Sequence, residues 1–179
     1  MQYCVLLDRD GVINVDRPGS VLHRREFRLL PHVGEAIAEM NRKGYRVLVL
    51  TNQACIGRGE LSWQELGQIH ALMQRRIVDA GGKIEAIYVC PHVDEDNCDC
   101  RKPKPGLVRQ AQLQHDFRPG DTWMVGDAER DIEAAINAGC RPALLRTGKG
   151  AAVRSGRDVA IFDDLAHFAR NLPNSGDSA

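Results

Sequence analysis

The sequence predicts an α/β protein: a doubly wound, mostly parallel sheet in one domain over residues 1–172, followed by a short flexible tail over 173–179. Three observations carry that expectation. Short β-rich apolar runs alternate with stretches whose apolar residues recur at helical spacing. At 179 residues the chain is of ordinary single-domain size. No interdomain linker and no internal repeat divides it.

The elements follow in order. YCVLL (3–7) is the first strand and ends at a polar cluster. VGEAIAEMNRKG (33–44) has helical spacing and stops at a glycine, a residue suited to the turn after a helix. YRVLVL (45–50) is the second strand. In SWQEL, Ser62 stands three residues before Glu65, a capping box that opens a helix reaching residue 80 and the Gly-Gly pair. IEAIYV (84–89) is a strand, GLVRQAQLQH (106–115) a helix, TWMV (122–125) a buried strand and AERDIEAAINAG (128–139) a helix ending at glycine. RPALLR (141–146) and VAIF (159–162) are strands, and DDLAHFARNL (163–172) is the last helix. The polar PNSGDSA (173–179) is expected to fray. Strands alternating with helices imply a parallel sheet covered on both faces.

Charge excludes some functions. Lys plus Arg number 24, and Asp plus Glu number 24, giving zero formal net charge. A protein devoted to nucleic acid or a membrane surface carries a basic excess, so neither is expected as a partner. No apolar run approaches the roughly 18 residues of a membrane span, and the first residues lack the pattern of a secretory leader. A cytoplasmic monomer is the expectation. Cys4 and Cys140 read as small buried hydrophobes, and Cys55 as structural too, though it lies beside a motif.

In a doubly wound sheet, ligands bind beyond the carboxyl ends of the strands. There the sequence puts Asp8 and Asp10 in DRDG, Thr51 in TNQ, Lys102 in RKPKPG, and Asp127 with Asp131 in GDAERD. A lone Asp-x-Asp in a loop is more often a turn or a cap. Four such groups, each beyond a strand, fit phosphoryl transfer. Asp8 and Asp127 brought together would repel unless a hard cation such as Mg²⁺ sat between them. Such a cation lets an anionic carboxylate attack an anionic phosphate, forming an aspartyl-phosphate. A second aspartate two residues on can protonate the leaving oxygen and then activate water. Thr51 and Lys102 would hold the transferring phosphoryl oxygens.

The segments LLDRDGVIN, VLTNQ, RKPKPG and VGDAERD, which together span nearly the whole chain, resemble the four motifs of the haloacid dehalogenase (HAD) superfamily. The resemblance implies a Rossmann-like HAD core and a phosphatase. It implies Asp8 as nucleophile, Asp10 as general acid and base, and Thr51 and Lys102 as phosphoryl binders. It also implies Mg²⁺ held by Asp8, the Asp10 carbonyl and Asp127, with Asp131 a supporting neighbour of that site. Members often carry a cap domain, but the stretches 14–32 and 53–101 are too short or too occupied for one. An open site is expected, with NVDRPGSV (14–21) and QACIGRG (53–59) selecting the substrate.

Cys90, His92, Cys98 and Cys100 have the form C-x-H-x5-C-x-C. Three readings compete: a structural Zn²⁺ clamp, a nucleic-acid zinc module, and disulfides. A set of four thiolate and imidazole ligands suits tetrahedral Zn²⁺ and leaves no open position. Neutral charge weighs against nucleic acid, and a cytosolic setting against disulfides. The clamp would also aim Arg101 and Lys102, which follow it directly.

With this loop, the chain is similar to the capless, zinc-containing HAD subfamily. Its members act on small phosphorylated metabolites: a heptose 1,7-bisphosphate of lipopolysaccharide precursor synthesis, at C7, and histidinol phosphate. DRDGVINVD, TNQ followed by IGRG, and CDCRKPKPG lie nearest the first kind. The likeness implies a phosphorylated sugar as substrate. It implies contacts from Asp16, Arg17, Pro18 and Gly19, from Asn52, Gln53 and Ala54, and from Arg101. Arg58 is a further candidate for a second phosphate. Histidinol phosphate is the alternative substrate and a polynucleotide end a more distant one. Ala128 stands where some relatives carry lysine, and Gly148-Lys149-Gly150 reads as a surface turn.

Overall fold

Cys4, Val5, Leu6 and Leu7 are all fully buried and form the central strand β1 (Cys4–Leu7). A strand apolar at every position must be covered on both faces, and its residues divide accordingly. Val5 and Leu7 join one core and Cys4 and Leu6 the other. In the computed structural model, which describes residues 2–153 and 159–176, the order of elements continues as follows. After β1 come α1 (Val33–Arg42), β2 (Arg46–Asn52), α2 (Ala54–Gly57), α3 (Trp63–Asp79), β3 (Ile84–Cys90) and α4 (Gly106–His115). Then follow β4 (Trp123–Gly126), α5 (Glu129–Ala138), β5 (Arg141–Leu145), β6 (Ala160–Phe162) and α6 (Leu165–Asn171).

The six strands lie in the order β3-β2-β1-β4-β5-β6, and every pairing is parallel. The sheet is therefore wholly parallel where the sequence predicts a mostly parallel one. Helices α1, α3 and α6 cover one face through Ile37, Met40, Ile69, Met73 and Phe168. Helices α4 and α5 cover the other through Leu107, Val108, Ala111, Ala134 and Ala135. Strand order reverses direction between β1 and β4, and the crevice at that switch point is where such sheets bind ligands.

The ends of β2 and β3 extend past the sequence-based expectation, to Asn52 and Cys90. β2 runs on to Asn52 because Thr51 and Asn52 still pair with Val89 and Cys90. Polar side chains thus sit on a regular strand end, held by ladder bonds that hydrophobic patterning does not register. The short α2 then turns the chain away, with the Arg58 N–H on the Ala54 carbonyl at 3.0 Å.

Among the described residues no cap interrupts the fold. The segment between β1 and α1 folds back on itself, with the Gly11 N–H on the Asn14 carbonyl (2.7 Å) and the Leu30 N–H on the Ile13 carbonyl (3.0 Å). It buries Val21 and Phe27 against the α1 and α3 side. At the other end, the Ser175 N–H donates to the Lys43 carbonyl at 2.9 Å, and residues 177–179 lie outside the described residues.

The capping box of α3 forms as expected. The Ser62 hydroxyl accepts from the Glu65 N–H at 3.2 Å, and the Glu65 carboxylate accepts from the Ser62 N–H at 3.3 Å. Ser62→Ala should lower stability by about 1 kcal/mol, read as a lower urea midpoint at unchanged slope. An unshifted midpoint would mean the cap is energetically idle.

Candidate active site

The site is built at the carboxyl ends of β1, β2 and β4. Asp8 follows β1, and its N–H donates to the Val125 carbonyl at 2.9 Å, which fixes it between β1 and β4. Asp127 follows β4, and Asp131 stands in the first turn of α5. All three are buried, and one carboxylate oxygen from each lies within 4.8 Å of the others. Two glycines make this approach possible. A β-carbon on Gly11, whose φ is +82°, would collide with the Asp127 carboxylate, and one on Gly126 would collide with the Asp131 side chain.

Lys102 joins the carboxylates. Its ammonium, buried, lies 2.9 Å from Asp8 Oδ1 and 2.8 Å from Asp131 Oδ1, and donates to the Leu50 carbonyl at 2.8 Å. The two carboxylates are its ion-pair partners and the carbonyl its hydrogen-bond acceptor. Burial alone would depress the Lys102 pKa, but Asp131 and Asp8 raise it instead. Asn52 fixes the backbone there, accepting from the Lys102 N–H at 3.1 Å and donating to its carbonyl at 3.0 Å. Asp131 also accepts from the Ala128 N–H at 3.1 Å, so it braces both Lys102 and the start of α5.

Burial still disfavours charge on two of these carboxylates. Burial pushes the Asp8 pKa up to about 7, with Lys102 opposing and Asp131 adding to the rise. Burial likewise lifts Asp127 to about 6, opposed by the Lys149 N–H, which donates to Asp127 Oδ2 at 2.8 Å. Asp127 Oδ1 is buried with no hydrogen-bond partner among the described residues. An orphaned carboxylate oxygen beside a second acid whose ionisation is disfavoured is a pocket that lacks positive charge.

Asp10 is treated differently. Arg9, fully buried between the two aspartates, turns its guanidinium onto Asp10, with Nη2 at 2.8 and 2.9 Å from the two carboxylate oxygens. Asn14 donates to Asp10 Oδ1 at 2.9 Å and Gln53 to Oδ2 at 2.8 Å. Burial would raise this acid, but Arg9, Asn14 and Gln53 together hold it below the usual carboxylate range. Arg9 Nη1 rests 3.3 Å from His70 Nε2 on α3, and the donor guanidinium requires that nitrogen to be the acceptor.

Above Asp10 opens a cavity of about 500 Å³. It is lined by Asp16, Arg17, Pro18, Gly19 and Ser20 together with Asn52, Ala54, Arg58 and Arg101. Arg130 and Lys149 complete it. Seven of the eight residues expected at the substrate thus line one cavity. The eighth, Gln53, turns inward and gives its amide to Asp10 and to the Thr51 hydroxyl (2.8 Å). Thr51, buried, sits behind the cavity and not on its wall. The Gly148-Lys149-Gly150 segment is more than a surface turn. Gly150 is buried, the Lys149 N–H holds Asp127, and the Lys149 ammonium meets Asp16 at 3.2 Å.

Sequence reasoning missed Arg9, His70, Arg130 and Lys149. Arg9 offered a signal, being the one cation between two paired acids. His70 is 61 residues away from Arg9 along the chain, and nothing local marks it.

The cysteine loop closes on itself beside the cavity. Cys90 Sγ lies 3.7 Å from both His92 Nδ1 and Cys98 Sγ. Cys100 Sγ lies 3.6 Å from Cys98 Sγ and 3.3 Å from His92 Nδ1. A tetrahedron with metal–sulfur arms of about 2.3 Å has edges of roughly 3.8 Å, close to these. Disulfide bonds of about 2.05 Å are far shorter, and all six cysteines are free thiols. Cys4, Cys55 and Cys140 are buried, and burial pushes Cys4 up to about 11 and Cys140 up to about 12. Arg101 is anchored to the loop through the Asp94 carboxylate and the His92 carbonyl, the latter at 3.3 Å.

A buried aspartate beyond the central strand, a second aspartate two residues on and a lysine-bridged acid cluster define a phosphatase of the HAD type, with a Rossmann-like core and no cap. The HAD-hydrolase-like family matches residues 99–168. A D-glycero-beta-D-manno-heptose-1,7-bisphosphate 7-phosphatase of Neisseria meningitidis is 41% identical over 174 residues, covering 94% of this chain and 93% of that protein. One of Pseudomonas putida is 39% identical over 171 residues, covering 94% and 98%. The crystal structure of D,D-heptose 1,7-bisphosphate phosphatase from B. bronchiseptica, complexed with magnesium and phosphate, superposes with a TM-score of 0.91. It is 37% identical and covers 96% of this chain and 98% of its own. The chain belongs to the heptose 1,7-bisphosphate 7-phosphatase family of HAD hydrolases. No described helix is long and apolar enough to cross a membrane.

His70 makes one consequence measurable. Burial first, and then Arg9, lower its pKa from 6.5 to about 4. The unfolded state therefore binds the extra proton between pH 6.5 and 4, and stability is lost as pH falls through that window. The loss should reach about 3 kcal/mol at most, and His70→Gln should remove most of it. Parallel urea curves for both proteins from pH 7 to 4 test this; an identical pH dependence would show that His70 is not held neutral.

Proposed function

We propose that this protein hydrolyses the C7 phosphate of D-glycero-D-manno-heptose 1,7-bisphosphate through an aspartyl-phosphate on Asp8, a step that serves lipopolysaccharide precursor synthesis. The observation that carries this is the cluster of Asp8, Asp127 and Lys102 beneath an open, cation-lined cavity of about 500 Å³. Family membership supports the heptose as substrate. We also propose a cytoplasmic monomer, the compartment following from the substrate class.

Mg²⁺ fits at Asp8, Asp127 and the Asp10 carbonyl, because Asp127 Oδ1 is orphaned and burial disfavours charge on both acids. When bound it supplies the positive charge that lets Asp8 ionise beside a phosphate dianion. Asp8 then attacks phosphorus as the bond from phosphorus to the C7 oxygen breaks, and Asp10 gives that oxygen a proton. In the second half Asp10 takes a proton from water, the water oxygen bonds phosphorus, and the bond from phosphorus to Asp8 breaks. Because Arg9 keeps Asp10 ionised in the free protein, the proton it gives in the first half is one it takes up from solvent as the phosphate binds. The second half restores that proton from the attacking water. Thr51 and Lys102 orient the phosphoryl oxygens. Zn²⁺ fits the Cys90, His92, Cys98 and Cys100 cluster, where four ligands leave no site for chemistry. Its role is to stiffen the loop that carries Arg101.

Two tests follow. The kcat/KM for the heptose bisphosphate should far exceed that for histidinol phosphate, and Asp8→Asn should lower it by on the order of a thousandfold or more. A preference for histidinol phosphate would sink the substrate assignment, and an active Asp8→Asn protein the mechanism. Cys98→Ala should lose one equivalent of zinc and lower the melting temperature; full zinc occupancy in that variant would rule out the clamp.

A further inference from the structure

Five cations line the cavity, and four already have a carboxylate. Arg17 pairs with Glu26 at 3.5 Å, Arg58 with Glu60 at 2.8 Å, Lys149 with Asp16 at 3.2 Å, and Arg101 with Asp94. Arg130 is the exception. Among the described residues its guanidinium makes no ion pair and no hydrogen bond, and its Nε is buried without a partner. A buried donor left unmatched costs free energy unless a ligand completes it. Lys102, paired with Asp8 and Asp131, is buried and does not line the cavity. An anion entering this cavity thus meets one cation whose donors are open.

Position decides which anion. The phosphoryl group under attack must sit at Asp8, which is buried below the cavity and does not line it; Asp10 forms the floor. Arg130 lines the cavity, as Arg101 and the 16–20 loop do. A group held in the cavity lies outside the buried position of Asp8, where the phosphorus under attack must come. A planar guanidinium with five donors is suited to grip a phosphate through two oxygens at once. Ala128 adds to the case, since a methyl group in that position leaves the anion no cation from the residue directly after Asp127.

We propose that Arg130 binds the phosphate that the reaction leaves in place, and so sets the preference for a bisphosphorylated over a monophosphorylated sugar. This rests on the two-phosphate substrate proposed above. It is distinct from a purely electrostatic role in balancing Asp8, Asp127 and Asp131, which would affect both kinds of substrate alike.

The test measures kcat/KM on the heptose 1,7-bisphosphate and on the heptose 7-phosphate, with saturating Mg²⁺, for the wild type, Arg130→Gln and Arg130→Lys. The ratio of the two values is independent of how much of each preparation is folded. Arg130→Gln should lower this ratio by about tenfold to a hundredfold, the scale of a charge-assisted contact, and Arg130→Lys should restore part of it. A high wild-type ratio that survives Arg130→Gln would overturn the role of Arg130 alone. A wild-type ratio near one would overturn the two-phosphate reading and this proposal with it.

Discussion

The buried ammonium of Lys102 is the interaction on which the site depends. It joins a carboxylate after β1 (Asp8), a carboxylate on α5 (Asp131) and the Leu50 carbonyl of β2, at 2.8–2.9 Å from each. Three separate elements at the topological switch of the sheet thereby share one charge. Removing that charge would leave buried acids facing each other, a change on the order of 3–5 kcal/mol. The same charge falls short of neutralising the cluster, as the raised pKa values of Asp8 and Asp127 show. That shortfall makes a divalent cation and a phosphate welcome together.

Around this centre the protein sorts two aspartates, two residues apart, into opposite environments. Asp8 is starved of donors and lifted toward neutrality. Asp10 receives the Arg9 fork, Asn14 and Gln53 and is held ionised. Arg9 can do this because it is buried against His70, whose Nε2 accepts from it. The split suits a nucleophile that needs a metal ion to ionise and a base that does not. The cysteine loop works at one remove, through Asp94 and the His92 carbonyl on Arg101.

Much of this was legible in the sequence, because each strand is a near-continuous apolar run and each ends in a polar residue that cannot be core. That rule alone singles out Asp8, Thr51 and Asp127, and the fold brings Asp8 and Asp127 together. Cys90, His92, Cys98 and Cys100 fall within 11 residues, so their ligand spacing is local. What escaped was contact across the fold. Gln53 looks like a loop amide facing substrate, yet the turn into α2 sends it back to Asp10. His70 is one polar residue on the partly buried face of an amphipathic helix, and its proximity to Arg9 exists only after the helix packs. Lys149 reads as part of a glycine-rich turn because the sequence does not reveal that its backbone lies over Asp127. Arg130 is marked by a buried Nε without a partner among the described residues, which only packing can show.

The most direct measurement is to trap the covalent intermediate. Turnover of the heptose bisphosphate by the Asp10→Asn protein, quenched in acid and mapped by mass spectrometry, should place one phosphoryl group on the peptide carrying Asp8 and nowhere else. A phosphoryl group on another residue, or product release with no labelled peptide at any quench time, would contradict the account.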